Sequence, residues 1–299
     1  MATIMDGKAL SQKLKEQMKE RIAQMRAEGI IPKLVVVLVG NDSASEVYVR
    51  NKHKSCGEVG IESEIIHLPE ETTQEELLDT VYQLNEDPTV DGILVQLPLP
   101  KQINEKIVLR AILPEKDVDG FHPVSVGLLS IGDEGFAPAT PSGIMAIFKE
   151  YGIEVAGKNC VVIGRSNIVG KPMAALLLQH DATVTICHSK TQNLAEITRR
   201  ADIIIVATGR RNTLTVDMVK DGVVVVDVGM NRNELGKLCG DVDFAQVKEK
   251  ASFITPVPGG VGPRPLPSFW RILFWQHKDI IVKKCRLAKQ KFSNFQKCA

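Results

Sequence analysis

The fold is decided by the stretch Leu34-Val-Val-Val-Leu-Val-Gly-Asn-Asp-Ser-Ala-Ser-Glu-Val-Tyr-Val-Arg-Asn-Lys52, in which six apolar residues are followed by mostly polar ones. A continuous apolar run of this length is typical of a strand buried on both faces of a parallel sheet. Asn41, Asp42 and Ser43 are all suitable helix N-caps. We therefore predict a strand over residues 34–39 and a helix over residues 45–59, which ends at Gly60.

The predicted helix places three reactive side chains on one face. Ser45, Tyr48 and Lys52 follow one another at i, i+3 and i+7, so they project in the same direction. A hydroxyl, a phenol and an amine beyond the carboxyl end of a strand form a candidate catalytic group, provided that burial or neighbouring groups let the amine act as a base. The alternative is a solvated helix face on which Lys52 only reaches water, and the spacing alone favours that alternative.

The first half of the chain alternates between strand and helix patterns. Further strands are predicted over residues 61–68 and 90–95, and helices over residues 6–28, 73–85 and 104–112. The helix at 73–85 opens with a Thr-x-x-Glu capping box. This alternation predicts a parallel sheet with helices on both faces, in which ligands bind past the carboxyl ends of the strands. We therefore expect Gly40, Gln96 and the loop 117–120 to lie beside Lys52.

A second alternating unit begins near residues 139–143. Its pattern predicts a helix over residues 144–151 and strands over residues 160–163, 183–187, 203–207 and 223–228. The loop Gly164-Arg-Ser-Asn-Ile-Val-Gly-Lys-Pro172 follows the first of these strands and leads into a helix that ends near residue 179, as the phosphate-binding turn does in nucleotide-binding folds. Only Gly164 and Gly170 match the spacing of a dinucleotide-binding motif, so a plain structural turn stays open as the alternative.

The end of the second strand of this unit indicates which coenzyme binds. Folds that prefer NAD place an acidic residue there to bind the ribose hydroxyls, but this strand ends Ile186-Cys-His-Ser-Lys190 without an acid. Arg165 and Ser166 lie in the first loop, and a guanidinium with hydroxyls suits a 2′-phosphate. NADP is therefore favoured over NAD, the alternative for Arg165 being a surface ion pair.

A third landmark is the loop Pro256-Val-Pro-Gly-Gly-Val-Gly-Pro263, after a predicted strand over residues 253–255. A loop this rich in Pro and Gly can bring its own backbone close to a ligand or to another segment of the chain. A ligand-facing loop is favoured over a long turn.

Composition excludes several function classes. The length of 299 residues suggests two domains. The net charge of +1 is unevenly distributed, because the segment from residue 264 onward contains nine Lys and Arg residues but only one acidic residue, Asp279. The rest of the chain is mildly acidic, which argues against a nucleic-acid surface. Six scattered cysteines without a CxxC pair indicate reduced thiols and no metal site. Because apolar runs are short and no signal core is present, we expect no membrane partner and a cytoplasmic protein.

Five motifs taken together resemble one family. They are Tyr48-Val-Arg-Asn-Lys52, Gln96-Leu-Pro-Leu-Pro100, Lys116-Asp-Val-Asp-Gly120, the 164–172 loop and the 256–263 loop. In this order they are similar to the bifunctional methylenetetrahydrofolate dehydrogenase/methenyltetrahydrofolate cyclohydrolase family, over residues 1 to about 263. The resemblance implies an α/β chain of two domains, a folate-binding catalytic domain (1–139) and a Rossmann-type NADP-binding domain (140–263), with the active site in the cleft between them.

The resemblance also implies roles for residues. The implied catalytic group is Lys52, Tyr48, Gln96 and Asp119. The implied substrate-binding residues are Ser45, Tyr48, Leu97, Asp119, Pro258, Gly259 and Gly260. The implied NADP-binding residues are Gly164, Arg165, Ser166, Ile168, Gly170, Ser189, Thr208 and Gly209. The partners implied are a folate substrate and a second copy of the chain in a homodimer. A dehydrogenase-only relative and a non-catalytic NADP-binding module stay open as alternatives.

The chain departs from the family pattern in three places. Ala139 stands where the family usually has Cys, and Arg210-Arg211 stands where a Lys-Pro turn is common. After Pro263 the family continues with an apolar closing helix, whereas this chain reads Arg264-Pro-Leu-Pro-Ser-Phe-Trp270. For the tail 264–299 a reading-frame shift in the coding sequence is favoured, because two prolines disrupt the helix start. A basic amphipathic tail and a variant closing helix are the alternatives.

Overall fold

The computed structural model describes residues 2–261, apart from the side chain of Ala44, and the predictions about the tail 264–299 lie outside this range. The strands are β1 (Thr3–Ile4), β2 (Lys33–Val39), β3 (Glu62–Leu68), β4 (Gly92–Val95), β5 (Asn159–Ile163), β6 (Thr183–Cys187), β7 (Ile203–Val206), β8 (Val224–Asp227), β9 (Asn231–Arg232), β10 (Leu238–Cys239) and β11 (Phe253–Ile254). The helices are α1 (Gly7–Ala27), α2 (Ser43–Val59), α3 (Gln74–Glu86), α4 (Glu105–Ala111), α5 (Pro123–Ile131), α6 (Ala139–Glu150), α7 (Gly170–Gln179), α8 (Leu194–Thr198) and α9 (Phe244–Lys250). None of these helices is long and apolar enough to cross a membrane.

The first sheet is parallel, with the strand order β3-β2-β4. Side chains of β2 alternate between two cores. Val35, Val37 and Val39 pack with α3 and α4, whereas Leu34, Val36 and Leu38 pack with α1 and α2. Each fully buried Val or Leu contributes about 1.5–3 kcal/mol of transfer free energy. The predicted sheet with helices on both faces is therefore confirmed.

The second sheet has six parallel strands in the order β1-β11-β8-β7-β5-β6. The chain leaves β5 to form β6 on one side and then returns to form β7 on the other. Ligands of such sheets bind at this reversal, outside the carboxyl ends of the strands. Gly164, which directly follows β5, lies at that point.

The beginning of the chain belongs to the second sheet. Thr3 and Ile4 pair with Phe253 and Ile254, and the Asp6 amide donates to the Tyr151 hydroxyl at 2.6 Å. The predicted division at residue 139 keeps this strand with the first unit, because two residues carry too little pattern to be assigned to a sheet.

Most predicted helix ends agree closely with the sequence pattern, whereas α6 begins early and the sequence pattern does not predict α5 or α9. Asp42 caps α2, Gly60 ends it with a φ of 90°, and the capping box of Thr73 and Glu76 is formed. Helix α6 begins at Ala139, five residues before its predicted start, because a proline is tolerated in the first helical turn. Helix α5 was not predicted, since its sequence Pro-Val-Ser-Val-Gly-Leu-Leu-Ser-Ile lacks a clear helical period.

Candidate active site

A pocket of about 470 Å³ lies between the two sheets. Its walls come from both units. The first unit contributes α2, the loop after β4 and the loop after residue 117, and the second unit contributes the loops after β5 and β8. The lining residues are Val47, Tyr48, Asn51, Lys52, Gln96, Leu97, Asp119, Phe121, Pro138, Ala139, Thr140, Ile168, Val169, Val228, Met230 and Val261. Residues that the sequence places far apart thus meet in one cavity.

Helix α2 contributes two of its three predicted side chains to the pocket. Tyr48 and Lys52 are half-buried on its wall, whereas Ser45 is 4% exposed and does not line it. The Tyr48 hydroxyl donates to Met230 Sδ across the cavity at 3.7 Å. Burial raises the pKa of Tyr48, so this side chain stays a neutral phenol that can donate a hydrogen bond. This face of α2 therefore lines a pocket between the two units.

Gln96 presents an unpaired acceptor beside the pocket. Its backbone amide donates to Val37 O at 2.9 Å, which continues the pairing of β2 and β4 by one residue. Its Nε2 donates to Leu97 O at 2.7 Å. Its Oε1 is buried and has no hydrogen-bond partner among residues 2–261. A buried acceptor without a donor costs about 1–3 kcal/mol, and a ligand N–H or an ammonium group would recover that energy.

The loop after residue 116 is held by one aspartate and presents another. Asp117 is 1% exposed, and its Oδ2 accepts from Ser125 Oγ at 2.9 Å and from the His122 amide at 2.8 Å. Burial raises the pKa of Asp117. Gly120 has a φ of +70°, and a Cβ there would lie 2.9 Å from Phe136 O. Asp117 and Gly120 therefore fix the loop, and Asp119 is the carboxylate that lines the pocket.

The loop from Gly164 to Gly170 is a tight turn between β5 and α7. Gly164 lies against the carbonyl of Ala207 with a φ of +135°, and Gly170 lies against the carbonyl of Gly164, so neither position has room for a Cβ. The Ser166 hydroxyl accepts from the amides of Val169 and Gly170 at 3.1 and 3.3 Å. The close backbone contacts explain why this turn requires glycine without a complete dinucleotide-binding motif.

Two neighbouring loops bring together the groups expected at a 2′-phosphate. The Gly164 amide donates to Cys187 O at 2.8 Å, which joins the loop of Arg165 to the loop of Ser189. Both of these side chains are exposed. Arg165 forms no ion pair within residues 2–261, so the alternative of a surface ion pair finds no support in the described part of the chain.

The Thr208–Gly209 loop after β7 depends on a residue that sequence reasoning missed. Asp241 Oδ2 accepts from the amides of Thr208 and Gly209 at 2.6 and 2.9 Å and from the Thr208 hydroxyl at 2.8 Å. Asp241 precedes α9 by three residues and carries no motif. Only its spatial position beyond β7 reveals it.

The Pro/Gly loop borders the pocket through its last described residue. Val261 lines the pocket, whereas Pro258, Gly259 and Gly260 do not. Gly260 is instead buried against Gly7 at the start of α1. Phe121, Val228 and Met230 line the pocket but were not predicted, although the position of residue 228 directly after β8 could have indicated it.

Comparison with known proteins gives the family. Residues 5–119 match the family model described as tetrahydrofolate dehydrogenase/cyclohydrolase, catalytic domain, and residues 138–269 match its NAD(P)-binding domain. The chain is 59% identical over 264 residues to the bifunctional protein FolD of Streptococcus pneumoniae serotype 4, which covers 88% of this chain and 93% of the relative.

Solved structures show the same similarity. The bifunctional methylenetetrahydrofolate dehydrogenase/cyclohydrolase FolD of Campylobacter jejuni has a TM-score of 0.90 and 52% identity, covering 93% of this chain and 99% of that chain. The Trypanosoma brucei enzyme, solved with NADP cofactor and an inhibitor, has a TM-score of 0.87 and 36% identity, covering 94% and 98%. The resemblance inferred from five motifs is confirmed, and this chain belongs to the tetrahydrofolate dehydrogenase/cyclohydrolase family.

Proposed function

We propose that the pocket around Lys52 is where this chain carries out both reactions of its family. The chain oxidises 5,10-methylenetetrahydrofolate to 5,10-methenyltetrahydrofolate with NADP, and it hydrolyses the methenyl compound to 10-formyltetrahydrofolate. One observation carries the assignment of the pocket: Lys52, Gln96 and Asp119 meet in a single cavity that also touches the loop after β5.

The residues of the second unit fit NADP. The close-packed glycines hold the 164–170 loop against the end of β7 at the N-terminus of α7, where backbone amides favour a phosphate. The exposed Arg165, with Ser166 and Ser189 nearby, suits a 2′-phosphate. When bound, the nicotinamide accepts a hydride. The methylene carbon of the substrate lies between two nitrogens whose lone pairs favour hydride loss. The protein therefore needs to orient the substrate and exclude water from the pocket, and it does not need to supply a strong base. Leu97, Val228 and Met230 give the pocket apolar walls.

Hydrolysis makes a different demand on the pocket. Water loses a proton as it attacks the methenyl carbon, and the Lys52 amine, when unprotonated, takes that proton directly or relays it. The bond from this carbon to N5 then breaks, N5 takes up a proton and the new hydroxyl loses its own, which leaves the formyl group on N10. The unpaired Oε1 of Gln96 orients either the Lys52 amine or an N–H of the substrate. Lys52 is thus the general base of the second step and a positioning group in the first.

Two further side chains bind the folate ring system. Asp119 accepts from the amino and ring N–H groups of the pterin, since a half-buried carboxylate makes stronger hydrogen bonds to such donors than water does. Tyr48 stacks against the substrate or donates from its neutral hydroxyl, whose partner in the described structure is only the weak acceptor Met230 Sδ.

The test is a spectrophotometric assay of both reactions in Lys52→Met and in a matched control, Lys54→Met. Lys54 is exposed on the same helix and does not line the pocket. In Lys52→Met the hydrolysis rate should fall by roughly 100-fold or more, the range for a general base, and hydride transfer should fall less. Lys54→Met should keep both rates. A hydrolysis rate in Lys52→Met equal to wild type would exclude Lys52 as the base, and hydride transfer without any hydrolysis in the wild-type protein would indicate a dehydrogenase-only relative.

We also propose a domain assignment, a cellular location and an oligomeric state for the enzyme. We place the folate site mainly on residues 1–139 and the NADP site on residues 140–263, in a cytoplasmic homodimer that joins through the nucleotide unit. We propose that its one-carbon folate products serve purine, histidine and methionine biosynthesis. Light scattering on a sizing column measures the oligomeric state.

A further inference from the structure

Asp241 is a fully buried carboxylate at the centre of a hydrogen-bond network behind the pocket. It is 0% exposed. Its Oδ2 accepts three hydrogen bonds from Thr208 and Gly209, and its Oδ1 accepts from Asn231 Nδ2 at 2.8 Å. It forms no ion pair within residues 2–261. A buried carboxylate without a cation is costly unless it is hydrogen-bonded, and these four bonds give both of its oxygens a partner.

The same network reaches the wall of the folate pocket. Gly229 leaves no space for a Cβ, because Asp241 Oδ1 fills it. The residues on either side, Val228 and Met230, line the pocket, and Met230 Sδ accepts from the Tyr48 hydroxyl. One carboxylate therefore contacts both the Thr208–Gly209 loop and the segment that forms the pocket wall.

A second buried carboxylate, Asp227, accepts hydrogen bonds from the backbone on both sides of the Asp241 side chain. Asp227 Oδ1 accepts from the amides of Asp241 and Gly229, each at 2.9 Å, and Oδ2 accepts from the Val242 amide at 2.9 Å. Asp227 has no bond to Thr208 or Gly209. Asp227 is also buried, at 3% exposure, but its carboxylate accepts only from backbone amides and reaches the Thr208–Gly209 loop only through Asp241, so it provides a comparison for Asp241.

We propose that Asp241 is a positioning residue that orders the Thr208–Gly209 loop for the coenzyme and fixes the adjoining wall of the folate pocket. This inference rests on the proposed binding of NADP by that loop. Both loop amides and the Thr208 hydroxyl donate to Asp241. These bonds fix the backbone conformation of the loop before the coenzyme binds. Because Asp241 is 0% exposed, it acts on a ligand through these partners.

Asp241→Asn tests the proposal. The substitution keeps the volume but turns one oxygen into an NH₂ group, which either faces the three donors of the loop or displaces the bond from Asn231. Loss of at least one charge-assisted bond should raise the dissociation constant of NADP by about tenfold or more. The same variant should raise the KM for methenyltetrahydrofolate in the hydrolysis assay, which needs no coenzyme turnover, with a smaller change in kcat.

Asp227→Asn separates positioning from general loss of stability. It should lower the free energy of unfolding by an amount similar to Asp241→Asn but raise the NADP dissociation constant clearly less than Asp241→Asn does, because it reaches the loop only through Asp241. Titration calorimetry with NADP alone measures the constants, and circular dichroism confirms that each variant is folded. Where Asp241→Asn fails to fold, Thr208→Val removes the hydroxyl's bond to Asp241, together with its bonds to Thr213 Oγ and the Arg210 amide, and should still weaken NADP severalfold.

The outcomes are distinct. A wild-type protein that does not bind NADP would overturn the proposed function itself. Wild-type binding that Asp241→Asn and Thr208→Val leave unchanged would overturn only the role of Asp241. Equal weakening in Asp227→Asn and Asp241→Asn would show that the effect is structural and would overturn it as well.

Discussion

Asp227→Asn removes a proton-binding group from the core of the second unit. Asp227 is 3% exposed at the carboxyl end of β8. Burial raises the pKa of this carboxyl from 3.8 to about 6, and the charge of the neighbouring Asp241 adds to the effect, while amide hydrogen bonds from Gly229, Asp241 and Val242 oppose it. Arg211 and Asp243 line the small cavity that Asp227 also borders.

The sign of the pH effect follows from the direction of this shift. Because the folded protein holds the proton more tightly than the unfolded chain, the contribution to stability is fully present below the unfolded pKa of 3.8 and is lost as the pH rises through about 6. Between pH 5 and pH 7 the two pKa values give a loss of about 1 kcal/mol in the free energy of unfolding. Asn cannot titrate, so the variant lacks this loss.

The assay is urea denaturation followed by circular dichroism at pH 5 and pH 7, for the wild type and for Asp227→Asn. The variant should be less stable at both values, since its NH₂ group meets backbone donors. The gap between the two proteins should be about 1 kcal/mol larger at pH 5 than at pH 7. The other titrating groups are shared by the two proteins and cancel in this comparison, apart from Asp241, whose charge acts on Asp227. A gap that is the same at both pH values would refute the reasoning.

Two further substitutions test the coenzyme site and the junction of the two units. Arg165→Ala should weaken NADP by about 1.5–3 kcal/mol and NAD far less, because only NADP carries the 2′-phosphate; equal losses in titration calorimetry would remove Arg165 from that role. Gly7→Ala should lower both the melting temperature and the affinity for folate, because its Cβ would collide with Gly260 O. The control Gly57→Ala, in α2 with open space around it, should be neutral or stabilising by up to about 1 kcal/mol, and a Gly7→Ala protein with wild-type melting and folate affinity would contradict the packing argument.

The elements with strong local patterns could be predicted from the sequence. The apolar run of β2, the caps of α2 and the capping box of α3 are each decided by residues within a few positions of one another. The same holds for the meeting of Lys52, Gln96 and Asp119, because the carboxyl ends of parallel strands share one edge of the sheet. Local chemistry and sheet topology are sufficient for these features.

Features that depend on distant partners could not be predicted. Asp241 bonds to Thr208, 33 residues earlier, and Gly7 packs against Gly260 from the other end of the described chain. The short strand β1 has no pattern until Phe253 and Ile254 lie beside it. In each case the residue type allows many environments, and only the three-dimensional partner selects one.

The cleft between the sheets is held by a continuous helix. Leu10, in the first turn of α1, belongs to the core of the second unit, whereas Met18 and Ile22 of the same helix belong to the core of the first. Ion pairs follow the same division, since Lys13 binds Glu150 of α6 and Lys15 binds Glu58 of α2. A helix of 21 residues spans about 30 Å and bends little. Because one rigid element is anchored in both cores, the pocket wall carrying Tyr48 faces the wall carrying Met230 before any ligand binds.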